Sequence, residues 1–251
     1  MFALPKAEQP SSGRAPPGKF FVGMSALMLA IVFIGFGRSF YLRAFLGYEP
    51  LPLHLFVHGV VLTAWFSLAF AQTCLVATHR VQAHRRLGIV AVVVAIGVVA
   101  ASVWTLLRVF APMIDERLTE AFPLLAQMFA FSICIVIALL KRNRPAVHKR
   151  FMLIASISIV PPAIDRLSLL PPLDGFFASL FSGISMPPQV VVALLSMPLL
   201  LLALAIYDLV SSRRLHPGTI WGVVCMLLVA PAMSAALTFS NAWSAFVRLV
   251  G

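Results

Sequence analysis

Apolar residues fall along this chain in long unbroken blocks, not in the short alternating runs of a barrel strand. Seven blocks cover residues 20–37, 54–77, 87–109, 121–140, 151–169, 188–208 and 219–240. Each is long enough to cross about 30 Å of hydrocarbon as an α-helix, and each is nearly free of charge. The pattern predicts an all-α polytopic membrane protein with seven transmembrane helices. Residues 1–19 read as a disordered cytoplasmic tail, polar, basic and containing Pro5, Pro10, Pro16 and Pro17. Residues 20–251 read as a single seven-helix domain whose first helix is not a cleaved signal. Most connections are short. The exception is PPLDGFFASLFSGISMPP at 171–188, whose Phe, Leu, Pro and Gly content predicts a short interfacial helix. Pro161 and Pro162 in the fifth block, Pro198 in the sixth and Pro231 in the seventh predict kinks. A bend in the fifth helix would turn backbone carbonyls toward a cavity. Pro123 falls near the expected start of the fourth helix, where a proline is harmless.

The second block carries a polar line. At about 100° per residue, His54, His58, Trp65 and Gln72 fall within roughly 40° of each other. Lipid offers such groups no partner, so this face is expected to point into the bundle.

Composition agrees with the blocks: 61% of residues are hydrophobic and 11% charged, with a mean hydropathy of +1.00. The net charge of +11 would suit a nucleic-acid binder, but its distribution argues otherwise. With the N-terminus inside, thirteen Lys and Arg face the cytoplasm against Glu8 and Asp208, while six positives and six acids lie outside. The whole basic excess is then explained by topology and by attraction to anionic headgroups. This predicts N-inside, C-outside insertion in a bacterial inner membrane, with the lipid bilayer as partner and no nucleic acid. Cys74, Cys134 and Cys225 lie within apolar blocks without metal-type spacing, so neither a disulfide framework nor a cysteine metal site is expected. Trp221, Trp243, Tyr41 and Tyr48 fall near the expected interfaces and read as belt residues.

Two groups of residues could carry chemistry. Near the outer surface, His54 and His58 at i and i+4 could chelate one metal from a helix face, with Asp165 as a third ligand or as the acceptor that orients an imidazole. Asp165 could equally pair with Arg108 or Arg166. Trp65, Gln72, Gln127, Arg108 and Arg166 complete the expected polar lining. On the inner side, RVQAHRRLG (80–88) and RPAVHKRFM (144–152) share a pattern of Arg, three residues, His, then two basic residues. They place His84 and His148 at equivalent starts of two parallel helices. There the two could serve as axial ligands to haem, with Arg80 and Arg144 on propionates or on lipid phosphates. Positive-inside anchoring explains the same residues without a cofactor. No Walker, dinucleotide, GxSxG or HExxH motif is present.

His58 with Trp65 and Gln72, followed by HRRLG and later by NRPAVHKRFML, resembles the bacterial multi-pass membrane family called domain of unknown function 2306. The likeness covers roughly residues 50 to 165. It implies the helix layout and a role for His58, Gln72, His84 and His148, and it supplies no activity. Seven helices with N-inside are also similar to zinc-dependent membrane hydrolases of the ceramidase and progestin-receptor type. Here, however, the HxxxH stands on the second helix and the last has no histidine. The first expectation is therefore a factor that handles redox chemistry or a cofactor, with a divalent metal or haem b as the candidate group and the question of enzymatic activity left open. A proton-coupled small-solute transporter and an accessory subunit of a membrane complex are the alternatives, with an intramembrane zinc hydrolase last.

Overall fold

A computed structural model of the chain describes residues 18–110 and 114–238, with side chains described outside 110–120. Residues 1–17, the side chains of Asp115, Glu116, Arg117 and Glu120, and Trp243 and Arg248 lie outside this description. Among the described residues there are only helices, turns and loops, and no strand. The helices are α1 (Lys19–Gly35), α2 (Leu53–Ala77), α3 (Val81–Phe110), α4 (Ile114–Leu140), α5 (Pro145–Ser158), α6 (Pro161–Ser168), α7 (Leu173–Leu180), α8 (Pro188–Ser212), α9 (Pro217–Val224) and α10 (Ala230–Thr238). A π-helical turn, Gly37–Tyr41, follows α1, and a second, Cys225–Val229, joins α9 to α10.

Five stretches are long and apolar enough to cross a membrane: Leu53–Ala77, Val81–Val109, Ala121–Leu140, Pro188–Ser212 and Pro217–Thr238. The pair α5 and α6, bent by 44°, makes a sixth if taken as one broken span. The first expected span is represented by α1, a shorter apolar helix of 17 residues. The surface has the polarity of a lipid-facing protein. Ile89, Val93 and Ile96 form an exposed stripe on α3, and Leu199, Leu202, Ile206 and Val210 do so on α8, while Ser25, Ser156, Ser158, Ser196, Asp208 and Ser234 are buried. Apolar side chains outside and hydrogen-bonded polar ones inside is the arrangement a multi-pass membrane protein requires.

Proline chemistry explains where the helices depart from expectation. Pro161 and Pro162 have no N–H, so the carbonyls of Ile157 and Ser158 lose their i+4 donors. The chain answers with a tightened turn, Val160 N–H to Ile157 O at 3.4 Å, and restarts as α6 with its own prolines in the first turn. The expected 151–169 span is thus two helices. Pro231 would drive its ring into the carbonyl of Leu227, and the π-helical turn Cys225–Val229 widens the ladder there. Pro123 is a correction to the expectation: α4 begins at Ile114, so this proline stands in the helix interior. The connection between the fifth and sixth spans forms the short helix α7, as its composition predicts.

In the core α2 packs along α3, α4 along α5 and α10, and α1 across α2 and α6. The α1–α6 approach is close because Gly35 faces the backbone of Ala163; a Cβ on Gly35 would come within 2.2 Å of the Ala163 carbonyl oxygen. Gly222 of α9 likewise leaves room for Ile154 of α5.

Candidate functional site

A cavity of about 470 Å³ lies at one end of the bundle. Its walls come from α1 and the π-helical turn after it, from α2, α3 and α4, and from the α5–α6 break through Ile159, Pro162 and Ala163. Most of the lining is aliphatic or aromatic. The polar groups that reach it include His58, Gln127 and Arg166. His58 Nδ1 is buried and has no hydrogen-bond partner in the protein, and the same holds for Ser39 Oγ on the same wall. Arg166 folds back so that Nη1 donates to the Pro162 carbonyl at 3.0 Å and its guanidinium lies 4.8 Å over the Phe36 ring. Arg43, at the rim, donates to the backbone carbonyls of Glu49 and Ser39. Among the described residues the lining therefore holds two guanidinium groups and no carboxylate. Tyr41 closes one side. Thr63 Oγ1 donates to the Gly59 carbonyl at 2.7 Å, so the Tyr41 hydroxyl, 2.7 Å from Thr63 Oγ1, is the donor of that pair.

The polar line of α2 is divided among three environments. His58 enters the cavity. His54, one turn earlier, turns its ring toward Trp104 of α3 with centroids 6.1 Å apart and is not part of the lining. Trp65 is a core residue: it is 2% exposed, donates from Nε1 to Ser156 Oγ at 3.2 Å, and meets Phe131 edge-on. Gln72 lies near the other end of the helix, its Nε2 3.8 Å from where a Cβ on Gly88 would stand. The expected metal triad is not assembled. Among the described residues no three His, Cys, Asp or Glu side chains are placed to hold a metal ion, so His54, His58 and Asp165 do not form one site. Asp165 stands half-buried outside the cavity, and Arg108 is exposed on α3, so neither lines it. Of the expected polar lining, Gln127 and Arg166 are among the cavity's walls, whereas Trp65, Gln72 and Arg108 are not.

The two like segments, 80–88 and 144–152, share a local geometry. In both copies the Arg precedes the helix and its carbonyl accepts the N–H of the histidine one turn on: His84 from Arg80 and His148 from Arg144, each at 3.0 Å. The two imidazoles come to within 6.4 Å, centroid to centroid, with planes at 84°. His148 Nδ1 is 2.9 Å from the Ala138 carbonyl oxygen, a contact only an N–H makes favourable, so its Nε2 is left as an acceptor. Arg80 and Arg144 are exposed, and no hydrogen bond ties either guanidinium to this pair. Arg80 lines a shallow surface groove instead.

Sequence reasoning missed a third feature. Asp208 of α8 is fully buried and forms an ion pair with Arg150 of α5. Arg150 Nε and Nη2 both donate to it, Thr219 Oγ1 donates at 2.5 Å, and the backbone N–H of His216 donates at 3.1 Å. One carboxylate thus fastens α5, α8 and the start of α9. Lys149 beside it lies 4.7 Å over Phe21, and Phe20 stacks on Tyr207 at 4.3 Å, drawing α1 to the same end. His216 caps α9 by accepting the Gly218 N–H on Nδ1 at 2.9 Å. Burial, with Arg150 nearby, holds the His216 imidazole below its usual range. The signal was present: Asp208 is one of only two acids among the thirteen Lys and Arg that the charge count assigns to one side, which makes it costly there without a partner.

The fold and site together define an all-helical, multi-pass membrane-type protein with an internal cavity. No family model matches the chain, and no curated protein and no solved structure matches it.

Proposed function

We propose that this chain is a bacterial inner-membrane protein that takes up a small amphipathic anion, as a carrier or transporter does, in the cavity beside the α5–α6 break. In this reading the chain crosses the membrane seven times with its N-terminus inside, and the cavity opens in the outer half. The observation that carries the proposal is the lining itself: an apolar volume of about 470 Å³ with Arg43 and Arg166 and, among the described residues, no acid on its walls. Pockets of this size and character are the usual place for a small ligand. The buried His58 Nδ1 and Ser39 Oγ, without protein partners, supply hydrogen-bonding capacity that a bound head group would use. A helix broken next to a cavity, with freed carbonyls on one side of the break, is also how many transporters build a substrate site.

The test is equilibrium binding to the purified full chain in detergent, using decanoate, decanol and decylamine, which share a chain and differ in head-group charge. Decanoate should bind at least tenfold more tightly than decylamine, with decanol between them. Arg166→Gln should erase most of that preference while leaving decanol unchanged. Equal binding of all three, or tighter binding of the amine, refutes the anion reading.

A further inference from the structure

The cavity is not uniform along its length. Contacts between the helices set the level of each lining residue. Thr105 Oγ1 lies 3.5 Å from the His54 carbonyl oxygen, and a Cβ on Gly97 would stand 3.3 Å from Val61, so Ser102 of α3 falls near the level of His58. Ser25 Oγ lies 2.7 Å from Thr73 Oγ1 and the Phe40 ring packs on Gly59, so Ser39 also falls near His58, and Val32 near Phe66. Trp65 meets Phe131 edge-on and donates to Ser156. These contacts set Phe131 level with Phe66. They also bring Pro162, whose carbonyl holds the Arg166 guanidinium, near the level of His58.

His58, Ser39, Ser102 and Arg166 therefore form a polar collar. Beyond it, on the side away from Arg43, the walls are Val32, Leu62, Phe66, Phe131 and Ile159, and among the described residues no charged side chain lines that part. Gln127 stands one turn of α4 before Phe131, on the collar's side. Thr63 is already bonded to the Gly59 carbonyl and to Tyr41. Val32, Phe66 and Phe131 are 3%, 2% and 1% exposed, so the cavity is closed at this end. From His58 to Phe66 the helix rises about 12 Å, at about 1.5 Å per residue. An extended alkyl chain advances about 1.3 Å per carbon, from C–C bonds of about 1.5 Å at the tetrahedral angle, so about nine carbons span that depth.

Resting on the anion reading, we propose that the cavity holds a single-chain alkyl monocarboxylate with its tail toward Phe66 and Phe131, and that these two rings limit the chain to about ten carbons, the carboxyl carbon included. The carboxylate accepts from the Arg166 guanidinium, from Ser39 Oγ–H and from His58 as its Nδ1–H tautomer, which gives both buried, unpartnered groups a partner. The tail meets only apolar walls, and a second charge at its far end would find no partner there.

The test is binding of straight-chain acids from hexanoate to tetradecanoate, and of decanedioate, to the purified full chain in detergent, with affinities referred to the free aqueous ligand. Affinity should rise about fourfold per methylene, the worth of burying each CH₂, and stop rising beyond about ten carbons. Decanedioate should bind about tenfold or more weakly than decanoate, because its second carboxylate would enter the apolar end, a loss that charge attraction alone does not give. Phe131→Ala should move the limit upward, so that dodecanoate gains about fourfold or more over wild type. Should that variant fail to fold, the wild-type series and decanedioate decide. Affinity that climbs steadily through tetradecanoate, or decanedioate bound as tightly as decanoate, overturns the proposal. So does an unmoved limit in folded Phe131→Ala. Loss of the preference among decanoate, decanol and decylamine strikes the anion reading and this proposal with it, whereas a kept preference without a length limit strikes this proposal alone.

Discussion

Removing the carboxylate of Asp208 should destabilise this protein more than most single changes outside its cavity. The side chain is fully buried, and it accepts from Arg150 Nε at 3.1 Å, from Arg150 Nη2, from Thr219 Oγ1 at 2.5 Å and from the His216 N–H at 3.1 Å. Asp208→Ala leaves the Arg150 guanidinium, itself 5% exposed, with only the Ala146 carbonyl as a partner. Breaking a buried ion pair from one side costs about 3–5 kcal/mol, because the surviving charge stays out of water. For a chain of this size that corresponds to a Tm lower by about 6–20 °C. Asp208→Leu combined with Arg150→Met removes both charges and should recover a large part of the loss, as hydrophobic replacement of whole buried pairs does. Thermal unfolding in a mild detergent, followed by tryptophan fluorescence, measures both variants. The reasoning fails if Asp208→Ala lies within about 1 kcal/mol of wild type, or if the double variant is no more stable than the worse single one, since either result means that the charge is not desolvated.

Three further outcomes follow from other parts of the fold. His216 accepts a hydrogen bond on Nδ1 and its ionisation is held below the usual histidine range, so its stabilising effect is full above about pH 6.5 and is lost as pH falls through the lowered folded value; Tm should fall more steeply from pH 7 to pH 5 in the wild type than in His216→Asn, and equal slopes would count against the cap. Gly35→Ala places a methyl group against the Ala163 backbone, so it should cost about 1–3 kcal/mol in Tm measurements and weaken decanoate binding by shifting α1 away from α6; an unchanged Tm would refute the close approach. Alkaline phosphatase fused after Gly251 should be active in intact cells if the C-terminus is outside, and an inactive but expressed fusion would reverse the proposed orientation.

Helix positions were legible in the sequence because hydropathy reports them directly: every expected block contains a helix, and the short helix α7 falls in the Pro-bounded loop where one was expected. What hydropathy does not report is how the faces are shared out. His54 and His58 differ by only 40° around α2, yet one meets Trp104 and the other enters a cavity, because α3 closes on the first turn of α2. Trp65 on the same line finds a hydroxyl, Ser156, that no periodicity singles out. Asp165 was read as a ligand because an acid within a span is costly. The α5–α6 bend of 44° instead sets its helix at a new angle, with Arg166 rather than Asp165 toward the cavity. The costly acid that was paired with a cation was Asp208, whose partner lies 58 residues away along the chain and could not be inferred from local spacing.

The helix α5 connects all of these features. Within its 14 residues it carries His148 of the imidazole pair, Arg150 of the buried ion pair and Ser156, the partner of Trp65, and it ends at the break that walls the cavity. Arg150 fixes its lower end to α8 and α9 through a desolvated charge, so that end resists sliding. Its upper end is held by a bent, proline-interrupted turn with weakened backbone bonds, so that end is the softer one. A ligand in the cavity would therefore bear on the compliant end of a helix whose other end is anchored. Motion arising there is taken up at Val160–Pro161, where α6 restarts, before it reaches His148. Binding of the anion should thus leave the imidazole NMR signals of His84 and His148 unchanged, and a shift in those signals on adding decanoate would mean that α5 moves as one rigid rod and that the break is not a hinge.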